Sequence, residues 1–146
     1  MNTEMIELSK RLISCKHFKW MPGMLAIWSF DETDNDRPMT WRCHEEYSPN
    51  FGSFISVGPL GNGHPSLNLR SIPDLTDPAT IGCLIQILKE KWNEPALYLH
   101  PLMKGDDISS WRITLPSSKY GRSYMATTAE EAIVLAFEAV DEYRND

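Results

Sequence analysis

The chain has 146 residues, 42% of them hydrophobic and 23% charged, with a net charge of −6. That is the composition of one folded domain spanning 1–146, which buries roughly 70% of its unfolded surface. No apolar run approaches the about 20 residues of a membrane span, and the acidic balance argues against binding long nucleic acid through its phosphates.

The N-terminal stretch MNTEMIELSKRLISCK carries acids and no apolar core, so it does not read as an export signal. Thr3 to His17 is predicted to be the first helix. Met5, Leu8, Leu12 and Cys15 follow a helical spacing, and Ile6 and Ile13 widen the stripe. Pro22 and Gly23 stop it, because proline lacks an N–H and glycine permits positive φ. Met24 to Phe30 reads as a strand. Asp31 to Asp36 is a solvated acidic turn, and Met39 to His44 returns as an antiparallel partner. Phe54 to Val57 is a further short strand, and the glycine- and proline-rich text from Val57 to Leu75 reads as loop.

The strongest local signal is PDLTDPATIGCLIQILKEKW. Asp77 is placed to cap a helix and Pro78 to occupy its first turn. Ile81, Leu84, Ile85, Leu88 and Trp92 form its expected buried stripe. Ala96 to Met103, Ser109 to Leu115 and Tyr120 to Ala126 read as three strands. In the second, Trp111, Ile113 and Leu115 alternate with Ser110, Arg112 and Thr114. A final helix begins after Thr127 or Thr128, either of which can serve a capping box with Glu130 or Glu131. The expectation is an α+β fold, three helices packed against a mainly antiparallel sheet.

Three stretches, FKWMPGM, IPDLTDPATIGCLIQILKEKW and ATTAEEAIVLAFEAVDEY, resemble a group of small proteins encoded by tailed phages and prophages. The likeness runs from about residue 8 to residue 143. It departs at Phe18, where another aromatic is common, at Ile81, where leucine is, and in longer hairpins after Phe30 and Met103. The resemblance implies a phage-encoded accessory protein of the host cytoplasm. It brings no activity, catalytic residue or ligand, so any site must be argued from chemistry.

Catalytic patterns are missing from the text. His17, His44, His64 and His100 are scattered, without the spacing that puts two metal ligands on one face. Cys15, Cys43 and Cys83 are odd in number and lack CxxC spacing, which suits reduced thiols in a cytosol. Cys43 and His44 are neighbours on a strand and so point to opposite faces, and Cys83 reads as a small core residue. The loop Gly58 to His64 matches neither phosphate-binding fingerprint and reads as an ordinary loop.

The segment WRITLPSSKYGRSY is more suggestive. If its strands pair, Arg112 shares a face with some of Lys119, Tyr120, Arg122 and Tyr124. Guanidinium groups grip phosphates and aromatic rings stack on bases. A solvated face whose long stems cover apolar surface would look the same. Trp41-Arg42 is a similar pair. The candidate ligand cluster is therefore Trp41, Arg42, Arg112, Lys119, Tyr120 and Arg122, with Trp20 and His64 at its margin. The turn around Trp20 is expected to be chiefly a packing corner.

These readings point to a non-catalytic, cytoplasmic homo-oligomer that needs no cofactor or metal. Its partner would be a nucleotide-like small molecule, a host immune signal held in sequestration as counter-defence. An alternative is a protein inhibitor that docks on a host enzyme through the acidic turn, and a weaker one is hydrolysis of the same signal.

Overall fold

In the computed structural model, residues 2–28, 39–48, 53–57, 63–64, 71–117 and 122–143 are described. The fold is α+β, and the described residues form three helices and two antiparallel sheets in place of one. The chain divides into two compact units, Trp20–Cys83 with Met1, and Asn2–Lys19 with Leu84–Asp146.

The first unit is a five-stranded sheet in the order β4-β3-β2-β1-β5. Its strands are β1 (Leu25–Trp28), β2 (Met39–Ser48), β3 (Ser53–Val57), β4 (Gly63–His64) and β5 (Ile72–Pro73). The two-residue strands β4 and β5 lie inside the stretch expected to be loop; so short a pairing leaves no periodicity to read. β5 closes on β1 through Ile27 opposite Ile72 and Ala26 opposite Pro73. Met24, Ala26, Ile27, Cys43, Ile72 and Leu75 are buried.

Helix α1 (Thr3–Ile13) is shorter than expected. Asn2 caps it, its side chain accepting the Met5 N–H at 2.9 Å. It stops before His17 because Asp141 captures the Lys16 and His17 backbone N–H groups and also meets His17 Nδ1 at 2.8 Å.

Helix α2 (Pro78–Lys91) starts on Asp77 as expected, with the Thr80 N–H donating to its carboxylate at 2.9 Å. Its buried apolar positions are Leu84, Ile87 and Leu88, with Trp92 just beyond, while Ile81 and Ile85 are half-buried. The apolar stripe is thus turned toward Ile87, a choice that a helix rich in apolar residues on several sides leaves to its neighbours. Asn93 ends it with φ of 52°. Glu94 N–H reaches the Lys89 carbonyl and Asn93 N–H the Glu90 carbonyl, a Schellman motif.

The second unit carries a meander, β6 (Tyr98–Lys104), β7 (Asp107–Thr114) and β8 (Ser123–Ala126), followed by α3 (Ala129–Tyr143). Strand order equals chain order. Of the two possible caps for α3, Thr128 is used: its hydroxyl accepts the Glu131 N–H and its carbonyl the Ala132 N–H. Helix α3 lies on the sheet, and α1 packs on α3. Ile133, Phe137 and Val140 from α3, Leu12 from α1, and Ile113 and Leu115 from β7 are buried in this core. No helix among the described residues is long and apolar enough to cross a membrane.

Candidate functional site

Arg42, a candidate ligand residue of the sequence, is engaged within the fold. Its guanidinium donates to both carboxylate oxygens of Asp77, at 2.7 and 3.1 Å, and to the Gly23 carbonyl at 2.8 Å. The same corner receives the Leu25 N–H on Thr80 Oγ1 at 2.9 Å, and Cys83 Sγ lies 3.5 Å from the Pro22 carbonyl. Gly23 has φ of 97°, which a side chain would strain. The Pro-Gly turn and the start of α2 are thereby one hydrogen-bonded joint. Asp77, with only 12% of its side chain exposed, is held below the usual carboxylate range, first by the Arg42 hydrogen bonds and then by those from Thr80. Arg42 is correspondingly raised. The turn is a packing corner: Met24 is buried and Trp20 half-buried. Cys43 beside it is an inert thiol, pushed up to about 12 by burial.

The sheet of the second unit separates Arg112 from Arg122, two of the three arginines of the expected cluster. Arg112 pairs with Met125, Ile113 with Tyr124 and Thr114 with Ser123. Cross-strand partners share a face, so Arg112 and Met125 look away from the face bearing Ile113 and Tyr124. Arg122, whose carbonyl accepts the Leu115 N–H at 3.0 Å, belongs with Tyr124 on the α3 side. There its guanidinium lies 4.3 Å from the Tyr143 ring centroid and 5.6 Å from that of Trp92. Trp92 and Tyr124 stack at 6.0 Å. Burial raises the Tyr124 phenol, an effect that Arg122 partly offsets. This cation–aromatic set closes the end of the core. Nearby, the buried carboxylate of Glu94, 4% exposed, accepts the Ser117 N–H at 3.1 Å and pins the exit from β7.

The opposite face is the candidate site. Tyr98, His100, Arg112, Thr114 and Met125 stand together there, by the pairings Tyr98 with Thr114, His100 with Arg112, and Arg112 with Met125. The Tyr98 and His100 rings are 5.0 Å apart, and His100 Nε2 is 3.2 Å from Thr114 Oγ1. Tyr98 is 47% exposed and Met125 55%. Arg112 makes only a weak 3.9 Å contact with Met125 Sδ, and its buried Nε has no hydrogen-bond partner among the described residues. The contrast with other arginines is chemical. Arg11 pairs with Glu138, Arg42 with Asp77, and Arg122 lies over rings, whereas no carboxylate meets Arg112 among the described residues. A half-buried guanidinium without a counter-ion, beside two rings and a hydroxyl, can receive an anion that carries an aromatic group.

Of the other expected residues, Lys119 and Tyr120 lie outside the described residues, as does the acidic turn Asp31–Asp36. Trp41 is on β2 opposite Ala26, and His64 on β4 opposite Ser56. Tyr98, His100 and Thr114 were missed as a set. Their signal was present: residues two apart in a strand share a face, so Tyr98 and His100 belong together, and only the β6–β7 register adds Arg112. Among the described residues, no group of three or more His, Cys, Asp or Glu side chains is placed to hold a metal ion. Comparison of the chain with protein-family models, with curated proteins and with solved structures finds no match.

Proposed function

We propose that this protein is a non-catalytic binder of a nucleotide-like anion, and that the ligand lies on the open face of the β6-β7-β8 sheet. The observation that carries the reading is Arg112, a half-buried guanidinium with no carboxylate partner among the described residues, set beside Tyr98 and His100. Arg112 supplies a bidentate grip for phosphate, Thr114 a hydroxyl, and Tyr98 an exposed ring on which a base stacks. The phage-like motifs suggest the biological setting, a host cytoplasm in which such a ligand is an immune signal held out of circulation. Sequestration needs affinity and no chemistry, which suits a site built from one cation and aromatic surface.

The test is calorimetry of the intact protein against guanosine monophosphate, ADP-ribose and cyclic dinucleotides. Binding is expected for at least one, with Arg112→Ala weakening it at least about tenfold, the loss of one charge-assisted contact. Absence of heat across the panel at high protein concentration overturns the reading. Conversion of the ligand over time, in place of its intact release on denaturation, overturns the non-catalytic part.

A further inference from the structure

The hydrogen-bond phase of the meander decides which of its two edges is open. The Leu115 N–H donates to the Arg122 carbonyl, so with the observed register Ile113–Tyr124 and Trp111–Ala126 are also hydrogen-bonded pairs. Tyr124 and Ala126 therefore spend their backbone groups on β7, and Ser123 and Met125 turn theirs outward. On β7, the alternate residues Ser110, Arg112 and Thr114 serve β6, where they face Leu102, His100 and Tyr98. Up to the register shift after Leu102, the outward row of β6 is then Leu99 and Pro101, and the proline has no N–H to offer. Edge prolines protect a sheet against strand addition. The β6 edge is closed in this way; the β8 edge carries no such block.

Ser123 and Met125 are exposed, and among the described residues neither backbone has a hydrogen-bond partner beyond the strand ladder. Two residues apart, with Tyr124 between them, they form a self-complementary set. An antiparallel second copy places Ser123 opposite its Met125 and Met125 opposite its Ser123, which closes four backbone hydrogen bonds about a two-fold axis at Tyr124. We infer that a second copy of this chain pairs along β8, making one continuous six-stranded sheet whose two Arg112 sites become halves of a single two-fold site.

The geometry defines the ligand. Arg112 lies across from Met125, hence in line with Ser123 and Thr114 of the second copy. The two Arg112 positions are separated by three strand spacings, about 14 Å, and offset by two residues, about 7 Å. Their Cα atoms stand about 16 Å apart, and long side chains lean inward across Met125 from both sides. A ligand with two phosphates related by two-fold symmetry and a base on each side matches this layout. A mononucleotide fills half of it. This second step rests on the nucleotide-binding reading, whereas the pairing of edges does not.

Sedimentation of the full chain at micromolar concentration is the experiment for the pairing, with dimer expected. Met125→Pro removes an outward N–H, and Met125→Lys sets two cations against each other across the axis; each is expected to raise the dimer dissociation constant at least about tenfold. Met103→Lys, on the closed edge, is expected to leave it unchanged. Circular dichroism shows whether each variant folds, and Met125→Lys, which keeps the backbone intact, carries the test if the proline variant does not. A wild-type monomer, or a dimer indifferent to both Met125 variants, overturns the pairing. Calorimetry with cyclic diguanylate then reads the shared site: one ligand per two chains supports it, one per chain overturns it. A β8-dependent dimer that binds no nucleotide leaves the pairing standing and removes the functional reading alone.

Discussion

Asp77 shows how one carboxylate can serve two elements. It caps α2 through the Thr80 N–H and binds Arg42 with both oxygens. Because these bonds hold its folded pKa below the ordinary value, the unfolded chain takes up a proton first as pH falls. Its contribution is fully present above the unfolded value of about 4 and is lost as pH drops through the folded value. Asp77→Asn keeps a capping oxygen but no charge. The expected result is a lower urea midpoint than wild type at pH 7, with the gap closing as pH falls below about 4. A gap that stays constant with pH would show that Arg42 gains nothing from the charge. Asp141 adds to the same acid sensitivity. Burial alone would raise it, but hydrogen bonds from His17 and Lys16 outweigh that and leave it lowered.

At the scale of elements, helix ends carry more of the specificity than helix interiors. The C-terminus of α2 is written by Asn93 in the left-handed region, and the N-terminus of α3 by Thr128. Thr128→Ala removes the side-chain acceptor for Glu131 N–H and is expected to cost about 1 kcal/mol of stability, measured by urea denaturation. Thr127→Ala, at the other frame the text allows, is expected to cost less than half as much. Strand β7 shows the sheet counterpart. Its two sets of alternate residues face different worlds: Ile113 is fully buried under α3, while Arg112, next to it, stands on the open side.

For the molecule, the second unit depends on a core shared by α1, α3 and the β6-β7-β8 sheet. Phe137, fully buried at its centre, touches on both demands, volume and contact. Phe137→Ala is expected to cost about 3–5 kcal/mol, a large part of the stability of an ordinary domain, and to lower the midpoint of chemical unfolding accordingly. Helix α3 covers one face of that sheet, and among the described residues Arg112, Tyr98 and His100 stand on the other. Burial of both faces would have demanded a counter-ion for the guanidinium.

The α+β class, the three helices, both helix-start signals at Asp77 and near Thr128, and the strands of the meander were legible in the sequence, because caps and periodicity are local and act through neighbours in the chain. The character of the Trp20–Met24 turn as a packing corner was legible too, from Pro22 and Gly23. Partners distant in sequence were not. Nothing local distinguishes Arg42, which binds Asp77 from 35 residues away, from Arg112, which binds no carboxylate among the described residues. Likewise, that Arg112 and Arg122 stand on opposite faces follows from a register that only pairing of β7 with β8 sets, since a slip of one residue would reverse every side chain. Local chemistry determined the elements of this protein; the tertiary pairing of strands decided which partners its described arginines met.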